Sequence, residues 1–142
     1  MTLAHDLAAA TGSYFGTGDG IESGPFVARI VISPLPGGGA LIDYEATSRE
    51  QGVQHVERSM QSQGPDGVDE LYVAHSESPV VTTMVETAVG SGRFEQATPT
   101  GPYRMAIVIE RPEVDRLTYA WWWGAGDDEP VERSKADVRL HV

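Results

Sequence analysis

The chain has 142 residues, of which 40% are hydrophobic and 8% aromatic, and 21 acids against 10 bases leave a formal charge of −11. That length suits a single domain, residues 1–142, with surface enough to bury a real core. The acidic balance argues against nucleic acid and anionic membranes, whose recognition rests on Lys/Arg neutralising phosphate, and it favours solubility. Cysteine is absent, which excludes disulfide scaffolds, thiolate metal sites and cysteine nucleophiles. With neither an apolar run long enough to span a bilayer nor a basic leader, a cytoplasmic protein is expected.

In chain order, Leu3–Ala10 is the one segment of helical pattern, a short turn before Gly12. Turn signals then recur every ten to fifteen residues or so: Gly16 to Gly24, Pro34 to Gly39, Gln51-Gly52, Gly64-Pro65-Asp66-Gly67, Ser76 to Pro79, Gly90-Ser91-Gly92, Pro99 to Pro102, Pro112 to Asp115 and Gly124 to Pro130. The stretches between them are short and rich in Val, Ile, Thr, Tyr and Trp. They are Phe26–Ile32, Ala40–Ala46, Leu71–His75, Val80–Val89, Met105–Ile109, Leu117–Trp123 and Val131–Leu140. In the last of these the odd positions from Arg133 to His141 are polar and the even ones small or apolar, the mark of a strand with one wet face. The pattern predicts an all-β domain of about ten antiparallel strands in a meander. A sheet that long must curl or split, and an up-and-down β-barrel leaves no open edge; a β-sandwich is the competing architecture.

Three stretches resemble the nitrobindins, haem-binding β-barrels of fatty-acid-binding-protein-like (calycin) shape. Gly12-Ser13-Tyr14-Phe15-Gly16-Thr17-Gly18-Asp19-Gly20, with Gly24-Pro25-Phe26 after it, is similar to the family's opening Gly-x-Trp-x-Gly-x-Gly strand. Gln54-His55-Val56-Glu57-Arg58-Ser59-Met60, followed by Leu71-Tyr72-Val73-Ala74-His75, is similar to its His-x-Glu segment and the strand after it. Asp115-Arg116-Leu117-Thr118-Tyr119, leading through Pro130-Val131, resembles its closing hairpin. The resemblance implies a proximal haem histidine on the last strand, yet counting from Pro130 places Ser134 there. A hydroxyl is a poor axial ligand. His141 has the opposite parity and should face solvent. Haem is therefore possible only through altered ligation, by His55 or His75.

If Gly64-Pro65-Asp66-Gly67 turns the hairpin, residues whose numbers sum to about 130 face each other, which sets His55 across from His75 on one face. The resemblance places both in a cavity, as a polar anchor, a general acid or base, or replacement ligands; alternatively they are two partly exposed histidines that happen to be close. Two histidines alone make no zinc site, and Glu57, of the same parity, is a weak third donor. Alternation sends Leu117, Tyr119, Trp121 and Trp123 to one face, and the resemblance turns that face inward, where the rings either wall a hollow or fill it. Ser134 and Ala136 on the last strand, with Tyr44 among Ile42, Tyr44 and Ala46 on another, complete the candidate pocket, and small residues opposite large rings leave room.

The glycines of Gly16–Gly20 fit a strand bend better than a phosphate loop, since no Lys-Ser/Thr and no helix follow. The acids of Gly126–Pro130 read as a solvated turn. The sequence thus favours binding of a small apolar or aromatic molecule, by a monomer or a homodimer. Haem chemistry on nitric oxide or peroxynitrite through His55 or His75 stands as an alternative. So does a cofactor-free enzyme with a cavity histidine as acid or base, although no dedicated catalytic motif is present.

Overall fold

The computed structural model describes residues 7–99 and 101–142, apart from the side chains of Ser78 and Pro79. Ten strands run in order: β1 (Gly12–Gly20), β2 (Phe26–Pro34), β3 (Ala40–Ser48), β4 (Gly52–Gln63), β5 (Asp69–His75), β6 (Ser78–Glu86), β7 (Arg93–Gln96), β8 (Tyr103–Glu113), β9 (Arg116–Ala125) and β10 (Val131–Leu140). Each pairs antiparallel with its neighbour in sequence. β1 also pairs with β10, from Tyr14↔Leu140 to Gly20↔Ser134, which closes the barrel and excludes the sandwich. Among the described residues no helix is long and apolar enough to cross a membrane.

Alternation decides which side chains enter. In β3, Ala40, Ile42, Tyr44 and Ala46 are buried while the residues between them reach towards solvent, as a pleated strand requires. Closure demands close approach at the seam. A Cβ on Gly16 would run into the backbone carbonyl of Asp137, and one on Gly18 into the ring of Phe26. The glycines of β1 therefore let two backbones and a ring pack where any side chain would hold them apart.

The interior has two unlike halves. In one, Leu71, Met84, Phe94, Ile107, Leu117 and Val138 are buried with Ile30, Ile32 and Ile42 into a continuous apolar core. Leu7 and Ala10 join that core from a helical turn over residues 7–9, and the Tyr14 hydroxyl donates to the Ala10 carbonyl at 2.7 Å, tying the turn to β1. The rest of the expected helix, Leu3 to Asp6, lies outside the described residues. The other half of the barrel is hollow.

Two local expectations are corrected. The β4–β5 hairpin pairs Glu57 with His75 and Gln61 with Leu71, so facing numbers sum to 132 and His55 has no direct partner in β5. The cause is a longer turn: Gly64 N–H donates to Val68 O at 2.7 Å, and Gly67 sits at φ +83°, which draws Val68 into the loop. Because the slip is two residues, both histidines keep the same face. The strand expected over Val80–Val89 stops at Glu86, whose carboxylate accepts the N–H groups of Gly90 and Gly92 and organises the following loop. The short strand β7 follows; with Phe94 as its one large apolar residue, it has no periodicity to read.

Candidate functional site

Beyond the filled half lies a cavity of about 840 Å³. β3 supplies Tyr44 and Ala46, β5 His75, β8 Tyr103 and Met105, β9 Trp121 and Trp123, and β10 Ser134. Of the residues singled out in the sequence, Tyr44, His55, His75, Trp121, Trp123 and Ser134 all line this space. Tyr119 and Ala136 do not: Tyr119 stacks behind Tyr44 at 5.0 Å between ring centroids, and Ala136 is fully buried one pleat below Ser134. His141 packs edge-on against Phe15 on the outer surface.

The centre of the polar wall is Glu57, whose side chain is wholly buried. It accepts hydrogen bonds from the Tyr119 hydroxyl, from Trp121 Nε1 at 3.0 Å, from Ser59 Oγ at 3.3 Å and from His55 Nε2 at 3.1 Å. A carboxylate is the form of glutamate that takes so many donors without conflict. The other ring nitrogen of His55, Nδ1, meets the two carboxylate oxygens of Glu77 at 2.9 and 2.8 Å. Each of these partners only accepts, so both nitrogens carry protons and His55 is an imidazolium held between two carboxylates. Burial alone would lower its pKa, but the hydrogen bonds and charges of Glu57 and Glu77 win and raise it to about 9. Burial likewise pushes Glu77 up, and is outweighed by its hydrogen bonds to His55 and His75, so that its carboxyl is held well below the ordinary range.

His75 stacks on His55 with centroids 5.8 Å apart and points Nδ1 at Glu77, 3.1 Å away. Its side chain is 9% exposed, and Nε2 is buried with no hydrogen-bond partner among the described residues. Trp121 presents an edge-to-face contact to both imidazoles, at 5.9 and 5.3 Å. The Tyr44 hydroxyl, which has no hydrogen-bond partner among the described residues, is kept protonated by burial and by the negative charge of Glu57 and Glu77, which raise its pKa far above normal. It remains a free donor. Tyr119 is raised in the same way, first by burial and then by the charge of Glu57 beside it.

Sequence reasoning passed over two of these groups. Glu77 follows His75 in a tight turn, and an acid two residues beyond a histidine was the available signal. Arg133, whose parity assigns it to the outside, lines the cavity because β10 carries an irregularity between Glu132 and Ser134. That bulge re-aims the side chain, so its guanidinium lies over Trp123 at 4.1 Å while Nε donates to the Trp123 carbonyl.

The donor set does not suit haem. Ser134 stands at the position where the resemblance implies a histidine, and the Nδ1 atoms of His55 and His75 both turn to the one carboxylate of Glu77 instead of an open face. His75 Nε2, which has no hydrogen bond, is a buried atom with a second imidazole stacked beside it. The imidazolium of His55 also has no lone pair with which to act as a general base.

Fold and site together define a closed ten-stranded antiparallel barrel, filled at one end and open to a polar-anchored cavity at the other, an architecture consistent with ligand binding. Among solved structures the chain is similar to the crystal structure of Rv2717c from M. tuberculosis, with a TM-score of 0.69 and 18% identity, over 96% of this chain and 95% of that one. At that identity the likeness speaks to the fold alone. No family model and no curated protein matches the sequence.

Proposed function

We propose that the barrel binds one small apolar or aromatic molecule in its hollow half, as a nitrobindin-shaped carrier without the haem ligation that the resemblance implies. The observation that carries this reading is the cavity itself. Its volume of about 840 Å³ lies in the range of about 300–1,000 Å³ usual for small-molecule sites. Phe26, Tyr44, Met105, Trp121 and Trp123 supply apolar wall, and affinity follows from the area that a guest removes from water. Orientation comes from few groups: the free Tyr44 hydroxyl, the Ser134 hydroxyl and the guanidinium of Arg133. These complement a guest bearing a hydrogen-bond acceptor, such as a carbonyl, at one end.

Native mass spectrometry of freshly purified protein tests this directly, reading a co-purified mass and the number of chains together. Titration of flat apolar compounds, followed by Trp fluorescence, should give saturable one-to-one binding that weakens in Trp121→Ala and Tyr44→Phe. Failure of every apolar and aromatic probe to saturate would sink the proposal. Hemin added to the protein should leave the Soret band unshifted; a shift lost in His75→Ala would restore the haem reading in its place.

A further inference from the structure

Three donor atoms converge at the rim of the cavity in a manner that the binding of an apolar guest does not require. One ligand atom from each of His55, His75 and Glu77 lies within 4.8 Å of the others, on two strands and the turn that leaves the second, and Nδ1 of each imidazole meets the Glu77 carboxylate. The two imidazoles are stacked, so their Nδ1 edges aim at one carboxylate rather than apart. We infer that His55, His75 and Glu77 form a binding site for a divalent transition-metal ion of the zinc type.

The chemistry of the donors fits such an ion. Two imidazoles and one carboxylate are a recurrent set for zinc and for related first-row ions, and they leave coordination positions open. Ligand atoms about 2.0–2.2 Å from one ion stand roughly 3–3.5 Å from each other. The His55–Glu77 and His75–Glu77 separations of 2.8 and 3.1 Å are already close to that spacing. Glu77 is half-exposed and borne on a turn, so it can withdraw slightly to admit the ion, whereas the histidines are held by their packing on Trp121.

The layer behind the donors is also present. A metal-bound imidazole usually gives its other N–H to a carboxylate, which fixes the ring and strengthens the ligand. His55 does this already: Nε2 donates to Glu57, and Glu57 is anchored in turn by Tyr119, Trp121 and Ser59. The ion would take the place of the proton that Nδ1 of His55 shares with Glu77, and that proton leaves to solvent. At His75 the proton moves from Nδ1 to Nε2. The open positions face the cavity, because all three ligands line it. A small ion can enter between these edges, where a porphyrin cannot.

The site stands whether or not the cavity takes an apolar guest, and it is tested without one. Chelator-treated protein is titrated with cobalt(II), then with zinc(II) in competition. The expected result is one ion per chain, with the intense visible absorption of four- or five-coordinate cobalt, bleached by zinc, and with zinc displacing the imidazole resonances of His55 and His75. Glu77→Gln, a change at a half-exposed side chain, should weaken binding by about tenfold or more, and His75→Ala should do the same. Asp127→Asn, in the exposed β9–β10 loop, should leave it unchanged. Circular dichroism of each variant verifies folding. A non-saturating titration, the faint spectrum of six-coordinate aqueous cobalt, or equal losses in Glu77→Gln and Asp127→Asn would overturn the site and leave only diffuse attraction to an acidic protein. Guest binding measured in excess chelator tests the cavity proposal separately.

Discussion

The two halves of the barrel interior are built from the same strands, yet they use burial for opposite ends. Along β9, Leu117 is packed into the filled half, while Trp121 and Trp123, a few residues on, stand at the edge of empty space. Along β4, Ser59 and Gln61 run towards the filled half, whereas Glu57 and His55 hold a charge network at the hollow end. The filled half stabilises by removing apolar area from water and by close packing. The hollow half forgoes that packing and holds its walls in place by hydrogen bonds to one buried carboxylate. The difference separates a close-packed end from an open, polar-walled end within a single sheet.

The sharpest way to break this contrast is to empty the filled half. Phe94→Ala should cost about 3–5 kcal/mol of unfolding free energy, as cavity formation in a close-packed core does, while guest affinity in the surviving folded fraction stays unchanged; urea denaturation and fluorescence titration read the two. Next in size is a pH effect confined to the hollow half. The folded pKa of His55, about 9, lies above its ordinary 6.5, so its contribution is complete below about pH 6.5 and fades as pH rises through about 9, on the order of 3 kcal/mol in all. Denaturation midpoints in chelator at about pH 6 and pH 10 should differ accordingly, and the difference should shrink in His55→Gln.

Tyr119→Phe removes one donor from Glu57 without changing the packing of the ring, and about 1.5–2 kcal/mol of stability should go with it; an unchanged melting curve would show that Glu57 does not organise the wall. The smallest stability effect belongs to Trp123→Ala, about 1 kcal/mol, because the indole leans on Arg133 and Tyr103 rather than on the core. The same variant should weaken an aromatic guest by about tenfold. If it instead unfolds the protein, the two halves are not separable.

Much of the fold was legible because β2, β3 and β10 alternate cleanly and because glycine and proline punctuate the chain at strand-length intervals. The last strand was read to its exact bounds, Val131–Leu140. What escaped depended on distant partners or on single turns. β7 has four residues and one large apolar side chain, too few for a period. The β4–β5 register turned on whether Val68 belongs to the strand or the loop, which Gly67 decides. The aromatic and histidine residues of the wall follow from parity, but the pairing of Glu57 with Tyr119 and Trp121 spans the barrel and leaves no local trace. Arg133 faces the cavity through a bulge that alternation cannot reveal. Glu77 escaped because it sits in a turn, where period-two reasoning ends.

The seam between β1 and β10 has a kinetic meaning. Every other neighbouring pair of strands is a hairpin or short connection, formed from residues near one another in sequence; the seam joins the first strand to the last. Closing so long a loop carries the greatest entropic penalty in the chain, so the ring should shut late in folding and reopen first under stress. A molecule lodged in the hollow half meets β10 at Ser134, the residue paired with Gly20 at one end of that seam. Occupancy should therefore slow the reopening of the ring, and the lifetime of the closed form becomes a measure of how tightly the guest is held.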